Sequence, residues 1–398
     1  MLSSMIRRGA AAALMTCVLG ASAALAQETV KIGVLVPITG NNAADGGRML
    51  KAHELAAKQI NEAGGIKSLG GAKVELVVAD IQSKPEISRS EADRLITRGN
   101  VSILMGAWAS ATTIPAMQIS DRNGVPFIVT SAVTDSITEQ GLKNVFRVAP
   151  KAKWFADNVA TFMAELNTGD TKIRKVALAF EDGPYGQSVS KNYKETLLAK
   201  GVFVVAEESF KTGTPDLSTQ AAKLKASGAD AVLIVSYVDD EVVLLRAMAA
   251  QKFTPVIIGF GGGHVHQTLL QAGGIADKTF GIVEWMPDVS KPASLAFVKA
   301  FGAAFNNEIP LSNQAQAFSS TWIAAMAIDA AASRDPAKVR DALAKIKVTD
   351  GPAAVLPDDV IEFDDRGQNT VGAVVAQVIG GKFVTVWPAS VAVQKPVR

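Results

Sequence analysis

The chain has 398 residues, long enough for two domains, and its 48% hydrophobic and 20% charged composition is that of a globular protein with a large core, which excludes a disordered or fibrous chain. Forty basic side chains face 38 acidic ones for a formal net charge of +2, leaving no basic footprint for nucleic acid. The single cysteine, Cys17, lies in the N-terminal segment, so the rest of the chain carries no disulfide and no thiolate chemistry.

Residues 1–26 read as a secretory signal. Arg7 and Arg8 form a basic n-region, Ala10 to Leu19 an apolar stretch, and Ala24-Leu25-Ala26 a small-x-small cleavage site. The mature chain is expected to begin near Gln27 or Glu28. Removing the segment takes two arginines and no acids, so the charge of +2 falls to zero. Cys17 follows Thr16, where a lipoprotein site wants Gly, Ala or Ser, so lipidation is not expected. Beyond the signal no apolar run is long enough to cross a bilayer, and the expectation is export to a bacterial periplasm.

In chain order, strands are predicted at Val30–Val36, Lys73–Asp80, Val101–Met105, Val125–Thr130, Lys175–Phe180, Val202–Ala206, Asp230–Ser236 and Pro255–Gly259. Helices are predicted between them at Gly46–Ala63, Pro85–Arg98, Ala111–Asn123, Lys153–Leu166, Gly186–Ala199, Leu217–Ser227 and Asp240–Gln251. The βαβα order occurs twice, and both halves open with an apolar strand, a turn ending in glycine and a helix. This is the pattern of an α/β protein with two doubly wound parallel-sheet lobes. Extended pieces near Val145–Pro150, Phe280–Pro287 and Asp350–Pro352 suggest three crossings between the lobes. The expected division is residues 27–147 plus 283–351 for lobe 1, and 148–282 plus 352–398 for lobe 2.

Ligands of such sheets bind outside the carboxyl ends of the strands. The stretch Met105 to Pro115 is the best candidate, because a strand, a small-residue turn and a helix start gather N–H groups and hydroxyls at one point. Ser110 is expected on the cleft floor holding a carboxylate, with a plain helix cap as the alternative. Trp108 is the expected aromatic lining. Candidates for other chemistry are few. His53 lies in a helix, and His264 and His266 follow a glycine triplet without further ligands, a weak zinc pattern. Neither a phosphate-binding Gly-Lys-Ser/Thr loop nor a Gly-x-Ser-x-Gly elbow occurs. No cofactor and no catalytic group is expected.

Six short stretches carry a resemblance: Lys31-Ile-Gly-Val-Leu-Val-Pro-Ile-Thr-Gly40, Gln59-Ile-Asn-Glu-Ala-Gly-Gly-Ile66, Gly124-Val-Pro-Phe-Ile128, Val145-Phe-Arg-Val148, Asp182-Gly-Pro-Tyr-Gly186 and Ile361-Glu-Phe-Asp-Asp-Arg-Gly367. In this order and spacing the chain resembles the leucine/isoleucine/valine-binding family of type I periplasmic solute-binding proteins, the receptors of ATP-driven (ABC) importers. The resemblance implies a small-molecule carboxylate ligand, lobes that hinge shut over it, a membrane permease as partner and no turnover; a monomer is expected. It gives Ser110 and the next βα loop, with Ser131, the role of carboxylate clamp. The family's threonine in that loop falls on Val133, with Thr134 adjacent. Tyr185 and Tyr237 match aromatic walls from the second lobe.

Two departures bear on the ligand. The first βα loop has Asp45 before Gly46 where the family has an aromatic. Phe260 is followed by Gly261 where amino-acid binders carry a glutamate for the α-ammonium. A dry cleft does not hold an unpaired ammonium cheaply. The expectation is therefore a carboxylate without an α-amino group, such as an aromatic or 2-oxo acid, with Phe260 among the aromatic surfaces. The alternative is a branched-chain or hydrophobic amino acid, or an amide, paired with Asp45 or another acid. A ligand-sensing regulatory receptor of the same fold, or a secreted hydrolase, are the competing readings.

Overall fold

The computed structural model describes residues 29–167 and 172–397; the secretory signal, its cleavage site and Cys17 lie outside the described residues. The first sheet is built from β1 (Val30–Val36), β2 (Val74–Asp80), β3 (Ile103–Gly106), β4 (Phe127–Val129) and β5 (Val145–Arg147). Its order is β2-β1-β3-β4-β5 and every pairing is parallel. The helices between these strands are α1 (Ala43–Glu62), α2 (Pro85–Thr97) and α3 (Ser110–Arg122).

The strand period of two decides which helices lie on which face. Val30, Ile32, Val34 and Val36 of β1 enter the core under α1, while Leu35 enters the opposite core with Leu95 of α2 and Met117 of α3. Gly33 shares that second face: a Cβ there would stand 2.3 Å from Leu104 Cδ2, so only hydrogen lets the helix layer close on the sheet.

The chain then runs through α4 (Ala152–Leu166), β6 (Lys175–Glu181), α5 (Pro184–Ala199), β7 (Phe203–Phe210), α6 (Ser218–Ala226), β8 (Ala231–Val235), α7 (Val238–Ala250), β9 (Val256–Phe260), two short turns α8 (Gly261–His264) and α9 (Gln267–Leu270), and β10 (Phe280–Val283). It returns to the first lobe with α10 (Pro292–Ala304), α11 (Ser312–Ala331) and α12 (Pro336–Leu343), and a small antiparallel pair, β11 (Lys347–Val348) and β12 (Ile361–Glu362). Strands β13 (Val374–Ile379) and β14 (Lys382–Trp387) then complete the second sheet, in the order β14-β13-β10-β9-β8-β6-β7. Strands β6 to β10 pair in parallel, and β13 and β14 add on antiparallel.

Two parallel-sheet lobes are therefore present, with five and seven strands in place of the four apiece that the repeated pattern suggests. The extra strands are short, like β5, or come from the far end of the chain. The last passage between lobes also differs from expectation. Ala353, Ala354, Val355, Leu356, Ile361 and Phe363 pack into the core shared by α1, α10 and α11, so the chain leaves the first lobe only after Phe363 and not at Asp350–Pro352.

The first and last crossings are tied together at Arg147. Its side chain is fully buried and donates to Gln368 Oε1 (2.6 Å), the Thr134 carbonyl (2.7 Å) and Thr138 Oγ1 (2.8 Å). Asn369 Nδ2 donates to the Val148 carbonyl at 3.1 Å, closing the knot.

Candidate binding site

Strands β3, β4, β6, β8, β9 and β10 all direct their carboxyl ends at one cleft, so residues shortly after each strand form its wall. After β3 the chain turns at Gly106, whose φ of 131° and close approach to the Leu35 carbonyl, 2.1 Å from an added Cβ, admit only glycine. Trp108 follows with a φ of 68°, a left-handed conformation that is strained for a bulky side chain. The strain presents its indole to Tyr237 of the other lobe, 5.2 Å between ring centres.

Ser110 opens α3, but Ala109 holds the cap position. No side chain caps the helix start, and the Thr112 hydroxyl lies within donating distance of the Ala107 and Ala109 carbonyls, at 2.9 Å from each. Ser110 Oγ is left buried and without a partner, with the residue only 2% exposed. After β4, Ser131 Oγ is likewise buried and unpartnered. Val133 also lines the cavity. Thr134 does not: its hydroxyl reaches across the lobes and donates to the Pro184 carbonyl at 3.1 Å.

The second lobe supplies rings. Tyr185 stands in the first turn of α5 and Tyr237 just before α7; their ring centres are 5.6 Å apart, and Tyr185 lies 5.6 Å from Phe260. Tyr185 Oη donates to the Phe260 carbonyl at 3.4 Å. Burial pushes both phenols well above their usual range, so they remain neutral donors. Gly261 has a φ of 59°, and a Cβ there would meet only the Tyr185 hydroxyl, at 3.7 Å; this part of the wall is bare. Gly263 lets α8 lie against the end of β8, 2.0 Å from the Ser236 carbonyl to an added Cβ.

The sequence-predicted residues Trp108, Ser110, Ser131, Tyr185, Tyr237, Phe260 and Gly261 thus face one space between the lobes. Asp45 does not share it. It lies in an adjoining recess with Arg48, His266 and Asn313, where Asn313 Nδ2 donates to its Oδ1 at 3.4 Å and His266 Nε2 stands 3.8 Å away. Burial raises the Asp45 carboxyl to about 7, opposed by the Arg48 charge, and burial lowers His266 to about 4.

Three polar lining residues escape the sequence reading: Ser236, Asn313 and Glu284. Glu284 is the consequential one. It follows β10, is buried, and accepts from Ser312 Oγ at 2.7 Å. The signal was available, since it is an acid set within the apolar run of residues 280–286, just past the end of a strand.

The histidines have other work. His53 is buried against Thr321, 2.8 Å from Nδ1 to Oγ1. His264 lies between Glu241 (2.5 Å) and Thr279 (2.8 Å), a buried pair behind Ser236. Among the described residues no group of three or more His, Cys, Asp or Glu side chains is placed to hold a metal ion.

Two doubly wound lobes joined by crossing segments, with a polar and aromatic cleft between them, define a two-lobed small-molecule receptor of the type I periplasmic binding fold. Residues 29–382 match the family model described as "Periplasmic binding protein", and the chain belongs to that family. It is 31% identical over 398 residues to "Leu/Ile/Val-binding protein homolog 7" of Brucella abortus (strain 2308), with 96% of this chain and 97% of that protein covered.

Among solved structures it is similar to the branched-chain amino acid transporter substrate-binding protein LivJ of Streptococcus pneumoniae in complex with isoleucine. That match has 25% identity and a TM-score of 0.79, covering 91% of this chain and 100% of that one. It also shares the fold of the solute-binding protein of an ABC transporter from R. palustris in complex with benzoate, at 20% identity and a TM-score of 0.80, covering 92% and 98%. No helix among the described residues is long and apolar enough to cross a membrane.

Proposed function

We propose that the protein is the solute-binding receptor of an ABC importer. In this reading residues 1–26 direct it to the periplasm and are cleaved near Ala26, and the monomeric mature chain delivers a small carboxylate to a membrane permease without transforming it. The observation that carries the reading is the pair of buried, unpartnered hydroxyls on Ser110 and Ser131, at the ends of neighbouring strands and facing an aromatic-walled cavity. A buried polar group without a partner costs about 1–3 kcal/mol. A ligand carboxylate that accepts from both hydroxyls removes that cost and fixes its own orientation.

Affinity then comes from the apolar body of the ligand. Closing Tyr185, Tyr237 and Phe260 over it against Trp108 buries its surface at roughly 25 cal/mol per Å². Aromatic acids, 2-oxo acids and branched-chain or hydrophobic amino acids all offer this combination. The named ligands of the two structural relatives, isoleucine and benzoate, fall at the two ends of that range.

The test is a thermal-shift screen of these acids on protein stripped of carried-over ligand. A true ligand at about 100 times its dissociation constant is expected to stabilise the fold by roughly 2.7 kcal/mol, read as a shift of several degrees. A melting curve unmoved by every one of these classes defeats the proposal.

A further inference from the structure

The bare wall at Gly261 points to an amine-free ligand only if the cleft has no other acid. It has one in Glu284, which lines the same space as Ser110 and Ser131. Glu284 is 4% exposed, and among the described residues no Lys, Arg or His side chain pairs with it. Two features of its surroundings work for the anion, against the burial that opposes it. Ser312, the first residue of the 20-residue helix α11, donates to Oε2, and a helix N-terminus stabilises negative charge. Burial raises this carboxyl, and the Ser312 and Gln316 side chains oppose the rise. A desolvated carboxylate poised this way, facing a cavity, lacks only a cation.

Resting on the receptor reading above, we propose that Glu284 is the counter-ion for a ligand ammonium group, replacing the acid that Gly261 lacks, so that the substrate class is zwitterionic: a carboxylate and a protonated amine on an apolar body. Both charged ends are then held by the first lobe and the crossing segment. Ser110 and Ser131 follow strands of the first sheet, and Glu284 sits where β10 hands the chain back to the first lobe, fastened to Ser312 of a helix packed on α1. The second lobe contributes the aromatic cover. Recognition of the charged ends is complete before closure, and closure adds affinity without adding discrimination between an amine and its absence.

The experiment titrates leucine and phenylalanine against 4-methyl-2-oxopentanoate, 4-methylpentanoate and 3-phenylpropanoate by calorimetry, on wild type, Glu284→Gln, Glu284→Asp and Tyr237→Ala. Expected for the wild type is about a hundredfold or greater preference for the amines, the range for losing one partner of a buried, hydrogen-bonded charge pair. Glu284→Gln should shrink that preference to within about tenfold, and Glu284→Asp should retain part of it. Tyr237→Ala should weaken every ligand that binds while leaving the ratio as in the wild type.

Amine-free acids binding as tightly as the amines, or an unchanged ratio in a folded Glu284→Gln, overturns the inference and leaves the receptor reading standing. Should Glu284→Gln fail to fold, the wild-type ratio and its persistence in Tyr237→Ala decide. Silence from every acid, aromatic acids included, removes the receptor reading and this inference together.

Discussion

Ser110 and Asp45 are separable by measurement, because one has an unused hydroxyl in the cleft and the other a buried carboxyl beside it. Ser110→Ala is expected to cost roughly ten- to a hundredfold in affinity, the worth of a hydrogen bond to a charged group. Since its Oγ has no partner in the protein, the melting temperature should not fall. Unchanged affinity in calorimetry with a lowered melting temperature would make Ser110 a structural residue. For Asp45 the sign follows from a carboxyl raised by burial from about 3.8 to about 7. The folded state holds its proton more tightly than the unfolded chain, so this stability is full below about pH 4 and is lost as pH rises through 7. Asp45→Asn is expected to flatten that fall in melting temperature between pH 4 and 7. A parallel pH profile in the variant would contradict the assignment.

Ser110 and Trp108 were legible because they follow a strand in sequence, whose end lies at the cleft; Ser131, Tyr185 and Tyr237 were legible through the resemblance to the family. What surrounds Asp45 and Glu284 was not legible, since it is set by α11, hundreds of residues from one of them. Only packing shows that Asn313 approaches Asp45 and Ser312 approaches Glu284.

At the scale of elements, the loop after β4 that carries Ser131 owes its shape to Arg147. The guanidinium donates to the Thr134 carbonyl and Thr138 hydroxyl on one side and to Gln368 on the other. Arg147→Met keeps the length and removes the donors, leaving buried acceptors without partners, each costing about 1–3 kcal/mol. A total loss near 3–5 kcal/mol is expected, seen as a marked drop in melting temperature, together with weaker ligand binding through the displaced loop. Equal stability of Arg147→Met in denaturant titration would show that the knot bears no weight.

The elements themselves were mostly readable. Strands such as β1 and β8 announce themselves by continuous apolar runs buried on both faces. Three-residue strands such as β5 give too little periodicity to distinguish a strand from an extended crossing. β7 ran longer than its apolar stretch predicts, because an edge strand exposes alternate residues and tolerates Glu207 there.

At the scale of the whole molecule, the two-lobed architecture followed from the doubled βαβα order, whereas the place of the last crossing did not. Residues 353–363 are apolar enough to belong to either lobe, and only the core formed by α1, α10 and α11 claims them. The lobes consequently interleave along the chain. The first sheet is complete by Arg147, yet one of its faces waits for α10 and α11, and the second sheet waits for β13 and β14, which end at Trp387. For a polypeptide threaded through a secretion channel N-terminus first, this ordering has a kinetic meaning. Neither half can bury its full core while the tail is still inside, and contacts that distant in sequence close slowly. A chain secreted in this way would not lock into its final shape before its tail had left the channel.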